Sequence, residues 1–326
     1  MTFVIPEPEL QVSFARALVE IREAMLQDAL KETVRKLDIP TLDKELADFV
    51  PAHSLSVLAG HGLRGELMFA VPAVLEANPK LLGYYRLLYG YSQKEFYKSG
   101  IGGKFKSLEV SGIVTKNSAP HLVDFCRAMA GAGEILLAGI SAGKVNASIL
   151  DDLTLLTLGP QLRGGANVQI GIAGIAAVFS SIKDIVAGHI ISEDQTRIEL
   201  KNAAGKTVLI EFAADPDIII REEMRTDTYR QLIAIEVKGG RDFSNVHNRI
   251  GEAEKSHQKA KGAGYVECWT VVNVDNIDMA MARRESPSTN RIYRISDLIK
   301  MTGDDYTDFR DRIISLTGIP TPTATP

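Results

Sequence analysis

The chain is poor in cysteine, which excludes two common ways of stabilising a fold. It has 326 residues but only two cysteines, Cys126 and Cys268. Two thiols in so long a chain argue against a disulfide framework and fit a reducing cytosol. The sequence also lacks the Cys and His spacing of a zinc site. We therefore expect a cytoplasmic protein without disulfides or structural zinc.

The chain also lacks an excess of positive charge. Its net charge is −4 and its isoelectric point is about 5.9, which argues against a non-specific, histone-like nucleic-acid binder. A sequence-specific enzyme is not excluded, since its positive surface can be confined to a cleft.

Long hydrophobic runs are missing as well. The first residues have neither a basic segment nor a long apolar core, so we expect no signal peptide. The most apolar stretch, residues 170–179, is far shorter than the roughly 18 residues that span a bilayer. The sequence therefore predicts a buried helix there and no membrane partner. It shows no internal repeat.

The hydrophobic period changes along the chain. Residues 1–150 show mainly the three- and four-residue spacing of helices, whereas a period of two begins near Thr196. We predict a mainly helical N-terminal region over 1–150, an α/β core over 151–318 and a disordered tail over 319–326.

The most informative segment begins at Pro216-Asp217-Ile-Ile-Ile and continues at Ile233-Ala-Ile-Glu236-Val-Lys238. The pattern predicts a β-hairpin with a polar loop over 221–230. Glu236 and Lys238 are two residues apart, so their side chains leave the same face of a strand. Charges at the end of a buried strand are costly unless partners or a metal satisfy them. Two carboxylates suit a hard divalent cation, and a neighbouring lysine suits a water attacking phosphorus.

The order of elements after the motif supports that interpretation. Gly239 and Gly240 end the predicted strand and permit close approach of a ligand to the backbone. A helix over 246–261 and a strand over 265–273 follow. Strand, helix and strand in this order imply a crossover connection and a parallel pair.

This arrangement resembles the PD-(D/E)xK motif of restriction endonucleases and related nucleases. The resemblance implies an α/β (α+β) core with a mixed central sheet flanked by helices. It implies Mg²⁺, with Mn²⁺ able to substitute, held by Asp217, Glu236 and the Val237 carbonyl, while Lys238 positions the attacking water. A third acid often joins such sites, and Glu66 and Asp184 are the candidates.

Longer strings are similar to one family of type II restriction endonucleases, that of XcyI. They are residues 62–66, Leu-Leu-Gly-Tyr-Tyr-Arg-Leu-Leu-Tyr-Gly-Tyr-Ser-Gln-Lys-Glu-Phe-Tyr over 81–97, residues 162–167, and Glu236-Val-Lys-Gly-Gly with 247–257. The resemblance implies cleavage of duplex DNA at a short palindrome of the CCCGGG type by a homodimer. It also implies a cognate DNA methyltransferase in the same host.

Two polar segments could contact DNA. Residues 159–171 form a glycine-rich pattern that predicts a loop leading into a helix. Residues 244–261 cover the start and the later turns of the helix after the motif. The candidate contacts are Arg163, Asn167, Gln169, Asn245, His247, Asn248, Arg249, Lys255 and Lys259. A flexible connection and a solvated helix face are the alternatives. The arginine-rich stretch 283–294 predicts a phosphate-binding loop, with solvated surface as its alternative.

Two other functions fit the same core. One is a repair or recombination nuclease that reads DNA structure instead of sequence. The other is a DNA-binding module that has lost catalysis, although Asp217, Glu236 and Lys238 are all intact.

Overall fold

The computed structural model describes residues 8–98, 102–140, 144–240 and 246–320. The chain divides into two compact units, Met1–Gly164 and Gly165–Pro326. That division and the predicted boundary at 150/151 both fall inside one long helix, Ala147–Val186. Of the predicted tail, residues 321–326 lie outside the described part of the chain.

The described part of the N-terminal unit is helical, as the spacing predicts. Its helices are α1 (Glu9–Met25), α2 (Gln27–Val34), α3 (Ile39–Phe49), α4 (Ala52–Gly60), α5 (Pro72–Ala77), α6 (Leu82–Leu88), α7 (Gln93–Lys98), α8 (Lys106–Ser111), α9 (Leu122–Gly139) and the first part of α10 (Ala147–Val186). The start of α7 shows how local sequence fixes them. The Ser92 side chain accepts from the Glu95 amide, while the Glu95 carboxylate accepts from the Ser92 amide. This reciprocal capping fixes the start of the helix.

Leucines and several aromatic side chains fill the core of the N-terminal unit. Phe69, Tyr84, Tyr85 and Phe105 are fully buried, and the ring of Phe105 stacks on Phe125 with centroids 3.9 Å apart. Burial of this apolar surface, at roughly 25 cal/mol per Å², is the main stabilising contribution here.

A seven-stranded mixed sheet forms the centre of the C-terminal unit, in the order β1-β2-β3-β4-β5-β6-β7. The strands are β1 (Ile190–Glu193), β2 (Arg197–Lys201), β3 (Thr207–Phe212), β4 (Ile218–Arg225), β5 (Thr228–Lys238), β6 (Glu267–Val272) and β7 (Arg291–Arg294). Neighbours are antiparallel up to β5, and β5, β6 and β7 are parallel. The predicted hairpin, the parallel pair and the fold class are confirmed.

Helices cover this sheet. They are the second part of α10, α11 (Val246–Gly262), α12 (Met279–Glu285), α13 (Ile295–Lys300) and α14 (Gly303–Thr317). Helix α11 makes the crossover between β5 and β6. Val178 and Ile182 of α10 join the buried core of the sheet, where Trp269, Tyr293 and Phe309 meet edge to face or tilted.

The glycine-rich loop predicted over 159–171 is wrong, because these residues lie inside helix α10. A glycine in a helix costs only about 1 kcal/mol relative to alanine. Helical segments on both sides let the backbone hydrogen bonds continue through the glycines. By length and composition alone, helix α10 is long and apolar enough to cross a membrane. Core helices of soluble proteins can have the same length and composition.

The buried helix predicted over 170–179 is correct only in part. Val178 is fully buried, but Ile172 is 54% exposed. An apolar run does not show which face of a long helix is covered, so the sequence could not separate these two positions.

The polar loop predicted over 221–230 is also wrong, because β4 and β5 continue through most of it and turn only at residues 226–227. Glu222 pairs across the strands with Arg230, and Glu223 with Tyr229. The Arg221 guanidinium lies over the ring of Tyr229, 4.5 Å from its centroid. Such cross-strand contacts stabilise polar residues in a hairpin.

Candidate active site

The hairpin of β4 and β5 brings the three predicted catalytic side chains together. Ile218 lies opposite Ile235, so the register continued by one residue sets Asp217 beside Glu236. The Val237 amide donates to Asp217 Oδ2 at 2.8 Å. Lys238 Nζ donates to Glu236 Oε1 at 2.9 Å. Two acids and one lysine therefore meet where β5 ends.

The electrostatics of this cluster are unbalanced. Burial, and secondly the negative charge of Glu236, raise the pKa of Asp217 to about 6, and the hydrogen bond from the Val237 amide opposes the shift only in part. Glu236 itself is only 7% exposed. Two carboxylates share one ammonium group in a half-buried place, so the cluster is short of positive charge.

This donor set fits a hard divalent cation. Asp217 and Glu236 offer carboxylate oxygens, and Mg²⁺ is commonly held by one or two carboxylates while it keeps several waters. Over residues 8–98, 102–140, 144–240 and 246–320, no group of three or more His, Cys, Asp or Glu is placed to hold a metal ion, so Asp217 and Glu236 form a two-carboxylate set. The site therefore fits a hard divalent cation better than a zinc ion, which prefers nitrogen and sulfur ligands. The Val237 carbonyl as a further ligand stays a prediction.

A cleft of about 530 Å³ lies beside Lys238, within the C-terminal unit. Three elements line it, and each contributes polar groups or bare backbone. The lining residues are Asn167 and Gly171 of α10, Val237, Lys238, Gly239 and Gly240 at the end of β5, and Asn248, Arg249 and Glu252 of α11. A cleft of this kind next to paired carboxylates can admit a phosphodiester group.

Gly239 permits a close approach to the backbone, as predicted, but helix α10 and not a ligand makes that approach. A Cβ atom on Gly239 would lie 2.8 Å from the carbonyl oxygen of Ile170 in helix α10. On the other side, a Cβ on Gly174 would lie 3.1 Å from the Gly239 Cα. The glycines thus let α10 pack directly against the end of the strand that carries Glu236 and Lys238.

The structure brings only some of the predicted DNA contacts to the cleft. Asn167, Asn248 and Arg249 line it together with Lys238, although Arg249 Nη1 also donates to the Gly240 carbonyl at 2.5 Å. Gln169 is exposed on helix α10 outside this lining, and Arg163 is an exposed residue of the N-terminal unit.

The remaining candidates have other surroundings. His247 Nδ1 lies 2.5 Å from Glu285, and Lys259 Nζ lies 2.5 Å from Asp215 Oδ2. Lys255 is exposed. Asn245 lies outside the described residues.

Only residues 286–290 of the arginine-rich stretch 283–294 form a loop, and none of its four arginines lies there. Arg283 and Arg284 end helix α12, and residues 291–294 form β7. Arg294 pairs with Asp305 and Arg291 with Asp308. These acids come from α14, outside the stretch itself, so its composition could not reveal them.

Sequence reasoning missed Glu252. It lies on α11, three and four residues after Arg249 and Asn248, and its Oε2 is 3.6 Å from Lys238 Nζ. That helical spacing, which places the three side chains on one face, was the available signal.

The two acids proposed from the sequence lie elsewhere. Glu66 is buried in the N-terminal unit, where it accepts from Arg64 Nε at 2.7 Å. Asp184 is exposed on helix α10. Within the described part of the C-terminal unit, Asp184 forms no metal-holding group of three or more with Asp217 and Glu236.

The long string over 81–97 has a structural explanation in the N-terminal unit. It supplies Arg86, whose guanidinium makes a bidentate contact with Glu109 at 2.8 Å for both hydrogen bonds. Gln93 and Tyr97 of the same string also donate to Glu109. This network accounts for Arg86, Gln93 and Tyr97 of the string.

Comparison with known proteins agrees with this geometry over almost the whole chain. The family model of the XcyI restriction endonuclease matches residues 15–320. The type II restriction enzyme Cfr9I of Citrobacter freundii is 56% identical over 325 residues, which cover 98% of each chain. The type II restriction enzyme XcyI of Xanthomonas campestris pv. cyanopsidis is 57% identical over 324 residues, covering 98% of this chain and 97% of its own. The chain therefore belongs to the XcyI restriction endonuclease family and is a type II restriction enzyme.

Proposed function

We propose that this restriction endonuclease hydrolyses phosphodiester bonds of duplex DNA in the cleft beside Lys238, and that Asp217, Glu236 and Lys238 carry the reaction. The observation that carries the proposal is the meeting of two carboxylates and a lysine at the end of β5, next to a cleft of about 530 Å³. The raised pKa of Asp217 adds support, because perturbed carboxyls concentrate at functional sites.

The chain's own residues divide the chemistry between them. Asp217 and Glu236 hold Mg²⁺, which neutralises charge developing on the phosphate and on the leaving 3′ oxygen when it is bound. The Lys238 ammonium positions the attacking water and stabilises negative charge in the transition state. The Val237 amide fixes the Asp217 carboxylate through its hydrogen bond of 2.8 Å, so that Asp217 needs little rearrangement.

Recognition is assigned to the polar residues of the same cleft. Arg249 can make a bidentate contact with a guanine edge, and Asn167 and Asn248 can contact adenine or act as further hydrogen-bonding groups. We propose a short palindrome of the CCCGGG type as the site. The identity of 56% and 57% to Cfr9I and XcyI over nearly the full chain supports a specificity shared with these relatives.

The active form is proposed to be a homodimer. Each protomer has one cluster of this kind among its described residues, and one cluster serves one strand. Cutting both strands of a palindrome is most simply done by two protomers related by the two-fold axis of the site. Because the same site also occurs in host DNA, we further propose a cognate methyltransferase that protects it in the cytoplasm.

Digestion of a plasmid tests this function. With Mg²⁺ we expect discrete fragments whose sequenced ends share one palindrome. With Ca²⁺ in place of Mg²⁺ we expect binding without cutting, and Asp217→Asn should abolish cutting with Mg²⁺. Random degradation, or cutting confined to branched DNA, would instead indicate a repair or recombination nuclease. Full activity in excess EDTA would overturn the assignment of the metal.

A further inference from the structure

We propose that Glu252 is a positioning residue for Lys238 in DNA hydrolysis. This inference rests on the proposed function and adds a residue to it. Its basis is a second carboxylate at the lysine, since Glu252 Oε2 lies 3.6 Å from Lys238 Nζ and Glu236 Oε1 lies 2.9 Å from the same atom.

The location of Glu252 is unusual for an acid. It lines the same cleft as Asn248 and Arg249, and its side chain is 65% exposed. A carboxylate in a cleft that receives a DNA backbone weakens binding, because it repels phosphates. A contribution to catalysis would offset this loss of DNA affinity, and the contact of Glu252 with Lys238 provides a route to one.

The two carboxylates around Lys238 differ in their other duties. Glu236 is proposed to hold the divalent cation, and a carboxylate engaged with a cation binds a neighbouring ammonium group less strongly. Within the described residues, Glu252 belongs to no group of three or more His, Cys, Asp or Glu that could hold a metal ion, so its carboxylate is left for the lysine. It therefore keeps the Lys238 ammonium in place when Glu236 turns to the cation, and it acts through the lysine.

Helix α11 gives Glu252 a rigid base. Two residues further on, Glu254 accepts from Ser286 Oγ and from the Ser288 amide, both at 2.9 Å. One turn further, His257 Nε2 lies 2.8 Å from Thr270 Oγ1 on strand β6. Because these contacts anchor helix α11 directly after Glu252, they hold the Glu252 backbone beside β5.

The test compares Glu252→Gln and Glu252→Asp with wild type. Three quantities are measured: the single-turnover cleavage rate constant on a palindromic duplex at saturating enzyme and Mg²⁺, the dissociation constant for that duplex without divalent cations, and the midpoint of thermal unfolding. Glu20→Gln is the matched control, because it removes an exposed glutamate from α1 in the N-terminal unit.

We expect Glu252→Gln to lower the cleavage rate constant roughly fivefold to twentyfold, more than an exposed ion pair usually contributes, because bound DNA excludes water from the cleft. Glu252→Asp should lower the cleavage rate constant less than Glu252→Gln does, because it keeps the carboxylate. DNA binding without divalent cations should be unchanged or tighter for Glu252→Gln, since a negative charge has left the cleft. An unchanged rate overturns the proposal, and so does a rate loss matched by weaker binding or lower thermal stability.

A double-mutant cycle shows whether Glu252 acts through the lysine. In a Lys238→Ala background, followed over hours under single-turnover conditions, Glu252→Gln should change the rate by less than about twofold. If the two losses multiply, Glu252 acts independently and the proposal is wrong. If Lys238→Ala alone cuts at the wild-type rate, the proposed active site is wrong. If Lys238→Ala loses cleavage while Glu252→Gln cuts at the wild-type rate, only the role of Glu252 is wrong.

Discussion

Two clusters of charged side chains, one in each unit, differ in how fully hydrogen bonds and opposite charges compensate their buried carboxylates. In the N-terminal unit, Arg86 and Glu109 are 1% and 3% exposed and form a bidentate pair. Burial alone would raise the pKa of Glu109, but the hydrogen bonds and charge of Arg86 outweigh it and hold that pKa below its usual value. In the C-terminal unit, burial and Glu236 instead raise the pKa of Asp217.

The difference separates structural charge from functional charge. Glu109 accepts four hydrogen bonds from Arg86, Gln93 and Tyr97, so no ligand is needed to complete the cluster. Asp217 accepts one amide hydrogen bond and lies beside another carboxylate. A cluster with a charge deficit next to a cleft is completed by what binds there.

The largest expected effect is on catalysis in the C-terminal cluster. Lys238→Ala should lower the single-turnover cleavage rate about 10²- to 10⁴-fold, because it removes a group that acts mainly in the transition state. Binding of the palindromic duplex in Ca²⁺ should largely survive, which gel-shift titration can measure. An equal loss of binding and cutting would indicate a lysine that anchors phosphate, and would remove the contrast between the two clusters.

The next effect is on stability in the N-terminal cluster. Arg86→Met should lower the free energy of unfolding by about 3–5 kcal/mol, because it leaves Glu109 buried without its partner. Urea denaturation measures the loss. Adding Glu109→Leu should recover part of it, and cleavage per folded molecule should stay near wild type. Lost cleavage in a fully folded Arg86→Met variant would contradict a purely structural role.

A smaller effect distinguishes two positive residues of helix α11. Arg249 lines the cleft, whereas Lys259 lies against Asp215. Arg249→Ala should cost about 1–3 kcal/mol of binding free energy on the palindrome and little on random DNA. Lys259→Ala should weaken both complexes about equally. Titration against both duplexes at one salt concentration checks the pair, and an unchanged ratio for Arg249→Ala excludes base reading by that residue.

The smallest expected effect is the pH dependence of cation binding. Since the pKa of Asp217 is raised to about 6, protons compete with the cation at a higher pH than for an ordinary aspartate. Affinity for Mn²⁺ should be constant above that pH and fall by up to about tenfold per pH unit below it. Calorimetric titration between pH 5 and pH 8 measures this. Affinity that stays constant down to pH 5 would contradict the raised pKa.

The sequence predicted the parts of the site that depend on the spacing of residues within one strand or one hairpin. Glu236 and Lys238 share a face because they are two apart in a strand, and Asp217 follows from the hairpin. The contact between Glu252 and Lys238 depends on how α11 is rotated about its axis in the crossover, which spacing alone does not determine. The helix through residues 159–171 was missed because its glycines favour a loop locally, while the helical segments on either side decide the outcome.

The central claim is that the divalent cation binds between Asp217 and Glu236, and mapping the ion along the chain tests it most directly. Fe²⁺ replaces Mg²⁺, and ascorbate with hydrogen peroxide then generates radicals that cut the polypeptide near the bound metal. The account predicts fragments that end near residues 217 and 236, which disappear with excess Mg²⁺ or in Asp217→Asn. Fragments that end elsewhere, such as near Glu66, and persist in Asp217→Asn would contradict it.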